Sequence, residues 1–311
     1  MWGGLTVRLL TRAQWVSPVR FEDCPPLSTY QKAKQGTPTM GGLLVLASGI
    51  LVAVLAGGLR HPDGWIVLGA TLAMGAVGLV DDWLKFQGPN ARGLRSLPKL
   101  CAALAVGAGV GMATATGAHG GRALLLPWAQ RTVELGWAWV PFSMLVIAGC
   151  AHAVNLTDGM DGLASGCAAI VLSVLGVSAI AGLAGHPGLI AWSVALAGAC
   201  VGFLWFNSFP ASVFLGDVGA LGLGGAIGAL SLLSGTSLWL VIIGGVFVIE
   251  ALSVMLQVGS YKWRGKRRIF RVAPIHHHFH LGGISEPKLI VRFWLVGLIL
   301  AMLGLTAVRM P

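Results

Sequence analysis

The stretch VPFSMLVIAGCAHAVNLTDGMDGLASGCAAIVLSVLGVSAIAGLA, residues 140–184, contains two apolar runs joined by the short polar turn NLTDGMDG. Each run is close to the length of about 20 residues that a helix needs to cross the hydrocarbon core of a bilayer. The turn leaves no room for an extramembrane domain between them. This stretch therefore predicts two membrane helices that meet at a polar loop, and polar groups at that depth must be paired or line a wet cavity.

The composition of the whole chain agrees with this prediction. Of 311 residues, 56% are hydrophobic and 10% are charged, and the mean hydropathy is +0.81, whereas a soluble domain has roughly a quarter charged residues. Apolar windows of about 19 residues give nine runs: 40–60, 65–80, 100–118, 140–155, 163–184, 189–206, 218–234, 238–258 and 289–308.

A tenth run, 2–19, is interrupted by Arg8, Arg12 and Gln14, and it lacks the pattern of a signal peptide. We therefore expect an all-α polytopic membrane protein with about ten transmembrane helices and catalytic cytoplasmic loops. Residues 1–311 are expected to form a single integral membrane domain.

Charged residues divide the loops between two faces. Because successive spans alternate in direction, one face receives the segments near 20–39, 81–99, 155–162, 207–217 and 259–288. These segments hold 14 of the 21 basic residues, namely Arg20, Lys32, Lys34, Lys85, Arg92, Arg95, Lys99, Lys262, Arg264, Lys266, Arg267, Arg268, Arg271 and Lys288. By the positive-inside rule this face is cytoplasmic. We expect a multi-pass membrane protein, with the lipid bilayer and not nucleic acid as its partner, despite the net charge of +10.

The acidic residues are concentrated on the same face, and only Glu250 falls inside a span. A membrane transporter would place carboxylates near the midplane of the bilayer, along the path of its substrate. One-sided clustering instead favours an enzyme whose active site faces the cytoplasm.

Two motifs supply candidate catalytic carboxylates. Asp81 and Asp82 end the run 65–80, where anionic side chains oppose the helix dipole, and this favours a functional role. Neighbouring residues on a helix point in different directions, so the two are expected to have separate roles. Asp217 precedes the run 218–234. It is either a helix N-cap or a ligand of Mg²⁺, which prefers carboxylate oxygens and substrate phosphates.

Two further turns offer contacts for a phosphorylated substrate. The segment Lys32–Gly42 opens the first strong span, where Thr37 or Thr39 would cap the helix or the exposed backbone N–H groups would bind phosphate. In the first alternative Pro38 lies in the first helical turn. In the turn 155–162, Asn155, Asp158 and Asp161 share one face if the turn is helical, but its glycines are equally typical of an irregular loop.

Polar residues also follow the span 238–258. Glu250, Ser253 and Gln257 lie at i, i+3 and i+7, which indicates either a structural hydrogen-bond network or the wall of a cavity that descends from the cytoplasmic face. The tract His276-His277-His278-Phe279-His280 comes next. Consecutive histidines cannot all bind one ion, so acid–base work or phosphate contact by one or two of them is expected.

Five motifs together resemble the phospho-N-acetylmuramoyl-pentapeptide transferase family from about residue 31 to the C-terminus. They are GTPTMGG at 36–42, VDDWLK at 80–85, NLTDGMDGLASG at 155–166, WFNSFPASVFLGDVG at 205–219 and PIHHHFHLGG at 274–283. The resemblance implies transfer of phospho-N-acetylmuramoyl-pentapeptide from its UDP-linked donor to undecaprenyl phosphate. The implied products are lipid I and UMP, the implied cofactor is Mg²⁺, and the implied location is the bacterial cytoplasmic (inner) membrane. The resemblance leaves open whether the protein forms a homodimer. It also leaves open whether the lipid phosphate attacks the donor directly or the reaction passes through a covalent intermediate on an Asp.

The resemblance also implies roles for individual residues. Catalytic roles fall to Asp81, Asp82, Asp217 and His276, with Mg²⁺ bound at Asp217. Substrate-binding roles fall to Lys34, Thr39, Lys85, Lys99, Asn155, Asp158, Asp161, Asn207, Phe214, His277 and His278. Glu250 and Gln257 join the substrate-binding set through the cavity hypothesis described above.

Two positions depart from the family pattern. His280 stands where family members have an acidic residue, and Cys24-Pro25-Pro26 replaces the usual Gly-Pro approach to the first motif. One alternative function is a related transferase that uses UDP-N-acetylglucosamine, which as a group lacks the Pro-Ile-His-His-His run. A membrane transporter is the alternative from a different class.

Overall fold

The computed structural model describes Gly4, Trp15, Tyr30 and the segments 34–87, 93–116, 123–129, 131–180 and 187–306. Within these residues the protein is mostly helical. The helices are α1 (Gly42–Leu55), α2 (Pro62–Lys85), α3 (Ser96–Thr116), α4 (Trp139–Thr157), α5 (Leu163–Ile180), α6 (Pro187–Asn207), α7 (Gly216–Leu233), α8 (Leu240–Ile243), α9 (Gly245–Trp263), α10 (Ile275–His280) and α11 (Glu286–Leu305). Strands β1 (Ala123–Leu125) and β2 (Thr132–Glu134) form an antiparallel pair in which Leu124 faces Val133.

Six helices in the described part of the chain are long and apolar enough to cross a membrane, namely α2, α3, α4 with its preceding 3-10 turn, α6, α7 and α11. α1 and α5 are shorter apolar helices. Each of the nine predicted runs contains a helix, which confirms the mostly helical class with candidate membrane spans. The tenth run, 2–19, lies outside the described residues apart from Gly4 and Trp15.

Several predicted boundaries were wrong for physical reasons. α2 continues past the predicted end at residue 80 to Lys85, because Lys85 forms ion pairs with Asp81 and Asp82 one turn earlier. The run 238–258 is divided at Gly244, which has φ −95° and ψ 19° and ends α8 before α9 begins.

The two proposed helix caps were also wrong. Gly41 occupies the N-cap position of α1 without a side-chain cap, so neither Thr37 nor Thr39 caps it and Pro38 precedes its first turn. Leu215 occupies the N-cap position of α7, and Asp217 lies inside the first turn. Asp217 is therefore not the N-cap residue of α7.

α7 is the central helix of the bundle. It is buried along 94% of its length and packs on α1, α2 and α4. Small residues allow this: a Cβ added to Gly42 would lie 2.2 Å from the Cα of Gly219, and one added to Gly224 would lie 2.5 Å from the Cα of Ala151. Such close backbone contact is typical of helix packing in membranes. The first turn of α7 is therefore fixed against α1 and α2.

The loops gather at two opposite ends of the bundle. At one end, Leu125 N donates to Gly235 O at 3.2 Å and Trp128 Nε1 donates to Thr306 Oγ1 at 3.1 Å. At the other end, Gly41 contacts Phe214, Lys99 contacts Asp217 and Lys34 contacts Glu286. We call this second end the motif end, since it collects the segments that were predicted to share one face. The predicted alternation of spans is confirmed in this respect.

We predict that Gly78→Ala destabilises the protein whereas Gly69→Ala does not. A Cβ at Gly78 would lie 2.2 Å from the backbone oxygen of Asp217, while one at Gly69, on the same helix, would have no neighbour within 4 Å. Both changes gain about 1 kcal/mol of helix propensity, but overpacking at Gly78 costs about 1–3 kcal/mol. Thermal unfolding of the purified variants in detergent measures the difference. Equal midpoints for the two variants would contradict the close α2–α7 contact.

Candidate active site

Three buried aspartates meet at the motif end. Asp81 and Asp82 lie in the last turns of α2, and Asp217 lies in the first turn of α7. One oxygen from each lies within 4.8 Å of the others, an arrangement that could hold a metal ion. Carboxylate oxygens are the ligands that Mg²⁺ prefers. We refer to these three residues as the carboxylate cluster.

Two lysines hold the carboxylate cluster together. Lys85 contacts Asp81 and lies 2.9 Å from Asp82 and 3.1 Å from Asp217. Lys99, at the start of α3, lies 2.9 Å from Asp81 and 2.8 Å from Asp217. Three carboxylates and two ammonium groups leave one formal negative charge in a buried space. This residual charge and the oxygen donors suit a divalent cation, and the ammonium groups suit the phosphates that such a cation would bring.

Asp81 and Asp82 have different backbone partners. Asp81 Oδ1 accepts a hydrogen bond from Leu94 N at 2.6 Å, which attaches the segment before α3. Asp82 Oδ2 accepts one from Val218 N at 3.1 Å, which attaches the first turn of α7. The sequence predicted that neighbouring carboxylates would point apart, and their contacts do differ.

Thr39 lies beside the carboxylate cluster. A Cβ added to Gly216 would lie 2.8 Å from both Asp82 Oδ2 and Thr39 Oγ1, so these two atoms approach the same point of the backbone. Gly216 has φ +75°, a conformation that favours glycine. The turn before Asp217 thus has room only for a residue without a side chain.

The first motif and the turn before Asp217 are joined by their backbones. Phe214 N donates to Pro38 O at 2.8 Å, Gly41 N to Phe214 O at 2.9 Å, and Gly42 N to Leu215 O at 2.8 Å. The two glycine N–H groups at the start of α1 are therefore already satisfied, whereas the phosphate-binding alternative for this segment required exposed N–H groups. Substrate contacts by the side chains of Lys34 and Thr39 stay predictions.

Asn207 connects two elements of the site. Its Nδ2 donates to Val213 O at 2.9 Å, and its Oδ1 accepts from Ser165 Oγ at 2.7 Å. The residue is 2% exposed. These bonds hold the turn between α6 and α7. Phe214 lies at the end of that turn and is half-buried. A direct substrate contact by either side chain stays a prediction.

The turn between α4 and α5 is irregular. α4 ends at Thr157, and Asp158 has φ −77° and ψ 52°. The helical alternative, with Asn155, Asp158 and Asp161 on one face, was therefore wrong, and the glycine-containing loop is confirmed. Asn155 and Asp158 are half-buried, whereas Asp161 is buried.

Asp161 belongs to a second charged group, which we call the Lys34 cluster: Lys34, Asp161, Glu286 and the neighbouring Tyr30. Lys34 Nζ lies 2.5 Å from Asp161 Oδ1 and 2.6 Å from Glu286 Oε1, and it lies 4.6 Å from the centre of the Tyr30 ring. Burial raises the pKa of Asp161, Lys34 lowers it and Glu286 raises it. Burial, together with the charges of Glu286 and Asp161, raises the pKa of Tyr30.

Sequence reasoning did not find Glu286 or Tyr30. An acid in the first turn of a helix is stabilised by the helix dipole, so Glu286 gave no functional signal. Its only clue was its place on the predicted cytoplasmic face directly before a span. Tyr30 lies in a segment of the sequence without a motif.

His276 and Glu250 form a fully buried pair in which His276 Nδ1 lies 3.0 Å from Glu250 Oε2. The other ring nitrogen, Nε2, has no hydrogen-bond partner among the described residues. It faces Gly159, where an added Cβ would lie 2.3 Å away. Glu250 thus fixes the ring while Nε2 points at the loop that carries Asp158.

The polar stripe on α9 forms a hydrogen-bond network. Ser253 Oγ donates to Glu250 O at 2.7 Å. Gln257 Oε1 accepts from the backbone N–H groups of Ile269 and Phe270, each at 2.9 Å. These contacts match the first of the two alternatives for this stripe, a structural hydrogen-bond network. Substrate contacts by Glu250 and Gln257 stay predictions.

The histidines have different partners, as expected for consecutive residues. The ring centre of His277 lies 6.4 Å from that of Tyr30. Burial of His277, together with the neighbouring His276, His280 and Lys34, lowers its pKa to about 2. His277 is therefore neutral at ordinary pH. His278 Nδ1 accepts from Arg271 N at 3.1 Å, and His280 packs on Tyr30 with ring centres 4.8 Å apart.

Comparison with known proteins identifies the family. The model of glycosyl transferase family 4 matches residues 64–235, which contain the whole carboxylate cluster. Signature 1 of phospho-N-acetylmuramoyl-pentapeptide-transferase matches residues 34–46, which contain Lys34 and Thr39.

Curated relatives that carry the name phospho-N-acetylmuramoyl-pentapeptide-transferase are similar over most of their length. The protein of Citrifermentans bemidjiense is 47% identical over 291 residues, which cover 89% of this chain and 81% of that protein. The protein of Pelobacter propionicus is 44% identical over 322 residues, covering 99% and 88%. That of Thermodesulfovibrio yellowstonii is 42% identical over 295 residues, covering 89% and 81%. With the carboxylate cluster inside the matched region, this similarity shows that the chain belongs to the phospho-N-acetylmuramoyl-pentapeptide transferase family.

Proposed function

We propose that this chain transfers phospho-N-acetylmuramoyl-pentapeptide from its UDP-linked donor to undecaprenyl phosphate. The products are lipid I and UMP, and the reaction is a step of peptidoglycan biosynthesis. The observation that carries the proposal is the buried carboxylate cluster, in which Lys85 and Lys99 each bridge residues of α2 and α7. It occurs in a chain whose relatives bear the name of this transferase.

The cluster suits phosphoryl transfer, which depends on positioning and charge neutralisation more than on covalent help from the protein. In the proposed step an oxygen of the lipid phosphate attacks the β-phosphorus of the donor. The bond from that phosphorus to the bridging oxygen breaks, and the electron pair leaves on UMP. Lys85 and Lys99 would offset the charge of the diphosphate, while Asp81 and Asp82 keep both ammonium groups in place. We favour this direct attack over a covalent intermediate.

Mg²⁺ is the cofactor that we propose, with Asp217 as its ligand. The oxygens of Asp81 and Asp82 lie close enough to Asp217 to share the ion. When bound, the ion would supply neutralisation of the diphosphate charge. His276 would act through Nε2, since Glu250 occupies Nδ1.

The remaining proposals concern placement in the membrane. The motif end would face the cytoplasm, because most of the basic residues of the sequence belong to its segments. The single domain would span the inner membrane about ten times. The soluble donor would then arrive from the cytoplasm, and the lipid phosphate would approach from the bilayer. The donor would contact Thr39, Asn155, Asp158, Phe214, His277 and His278.

We predict that Asp217→Asn abolishes turnover in a folded protein. The amide keeps the size of the side chain but removes the charge that would hold the cation and pair with Lys85 and Lys99. Release of UMP from donor, undecaprenyl phosphate and Mg²⁺ measures turnover, and thermal unfolding checks the fold. Asp63→Asn, at the opposite end of α2, is the control and is expected to stay active. Near-normal turnover by Asp217→Asn would remove Asp217 as the metal ligand.

The choice of donor is the second prediction. With undecaprenyl phosphate as acceptor, we expect the UDP-linked muramoyl-pentapeptide to yield UMP and lipid product, and UDP-N-acetylglucosamine to yield neither. Chromatography of nucleotides and extracted lipids measures both. Turnover of UDP-N-acetylglucosamine alone would establish the related transferase instead, and the absence of UMP from both donors would favour a transporter.

The third prediction concerns Glu250. If this carboxylate acts only by orienting His276, we expect Glu250→Gln to lower kcat by about tenfold or more. A tenfold loss corresponds to an increase of about 1.4 kcal/mol in the activation free energy. The same change in a His276→Ala background should then have little further effect. Steady-state kinetics of the two single variants and the double variant form the cycle. Additive losses would show that Glu250 has a role independent of His276.

A further inference from the structure

Glu286 joins three distant segments of the chain through one oxygen atom. Its Oε1 accepts a hydrogen bond from Lys34 Nζ at 2.6 Å and another from Asp161 N at 3.0 Å. Glu286 is the first residue of α11 and is 3% exposed. A buried carboxylate is stable only when it is paired and hydrogen-bonded, so these contacts specify one arrangement of the three segments.

The ammonium of Lys34 is shared between two carboxylates. It lies 2.5 Å from Asp161 Oδ1 as well as 2.6 Å from Glu286, so its single positive charge is already more than offset by two carboxylates before any substrate arrives. Tyr30 covers it on another side. Lys34 is therefore better placed to hold the loop 158–162 and α11 together than to serve as a free phosphate ligand.

The Lys34 cluster extends into the segments that surround the proposed donor site. Asp161 Oδ2 accepts from Ala211 N at 3.0 Å, in the turn that leads to Asp217. Asp158 and Gly159 precede Asp161 in the same loop, and Gly159 lies against His276 Nε2. Lys34 precedes the segment 38–42, whose backbone pairs with Phe214 and Leu215.

From these contacts we infer that Glu286 is a positioning residue for donor binding. It acts by holding Lys34 and the loop 158–162 in the arrangement that receives the nucleotide part of the donor. The inference rests on the proposed function and deepens it. The carboxylate cluster is held separately by Lys85 and Lys99, so loss of Glu286 should affect donor affinity and leave the chemical step largely intact.

The test compares Glu286→Gln with Glu134→Gln in the full-length protein. The amide introduced by Glu286→Gln keeps an oxygen for Asp161 N but removes the charge that pairs with Lys34. Glu134 undergoes the same chemical change at an exposed position of β2, at the opposite end of the bundle. We expect Glu286→Gln to raise the donor KM by about tenfold or more, with kcat and the KM for undecaprenyl phosphate changed by less than about threefold. We expect Glu134→Gln to match the wild type.

A conservative variant and a double variant sharpen the test. The shorter side chain of Glu286→Asp keeps the charge, so its donor KM should fall between those of the wild type and Glu286→Gln. In a Lys34→Met background, Glu286→Gln should raise the donor KM by less than it does alone, because the two residues act together. An unchanged donor KM in Glu286→Gln, a loss confined to kcat, or full additivity with Lys34→Met would overturn the inference.

A binding measurement separates this inference from the proposed function. Calorimetric titration of the wild type and Glu286→Gln with the UDP-linked donor and with UMP requires no turnover. Weaker binding of both nucleotides by Glu286→Gln, at an unchanged thermal midpoint, would support the inference even if no lipid product forms. Equal affinities would overturn it, whereas an inactive wild type that binds donor would overturn the proposed function alone.

Discussion

The structure of the motif end depends on the burial of three carboxylates beside two ammonium groups. An unpaired charge in such a place costs several kcal/mol, so Lys85 and Lys99 must approach Asp81, Asp82 and Asp217 closely. Because these residues belong to α2, α3 and α7, their pairing fixes the relative height of three helices. The Leu94 and Val218 N–H groups extend this restraint to the backbone. The site is thus part of what holds the helices in register.

Packing of the helices supports the same arrangement from the apolar side. The absence of a side chain at Gly78 lets α2 approach the backbone of Asp217, and the pair Gly42 and Gly219 brings α1 equally close to α7. Lipid tails are as apolar as the helices, so association in a membrane relies on such close packing more than on burial of apolar surface. Small residues and buried charges therefore place Asp217 by independent means.

The sequence predicted the helical class, the nine apolar runs and the segments that meet at the motif end, because these follow from the length of the apolar runs and the alternation of spans. It also predicted that the neighbouring carboxylates would have different contacts. It could not predict that Gly41 and Gly42 donate to Phe214 and Leu215, since such pairing depends on residues far away in the chain. The same reason explains why Glu286 escaped notice: a first-turn acid is locally ordinary, and only the fold brings Lys34 and Asp161 to it.

The contact between Lys34 and Glu286 joins residues that are 252 positions apart. During synthesis the carboxylate does not exist until translation reaches the start of α11, so the preceding helices are made before this contact can form. Closing a loop of this length costs entropy, but that cost grows only slowly with length. Formation of the Lys34 cluster is consequently coupled to synthesis of the start of α11. A nascent chain interrupted before α11 would carry the carboxylate cluster without the contact that closes the Lys34 cluster.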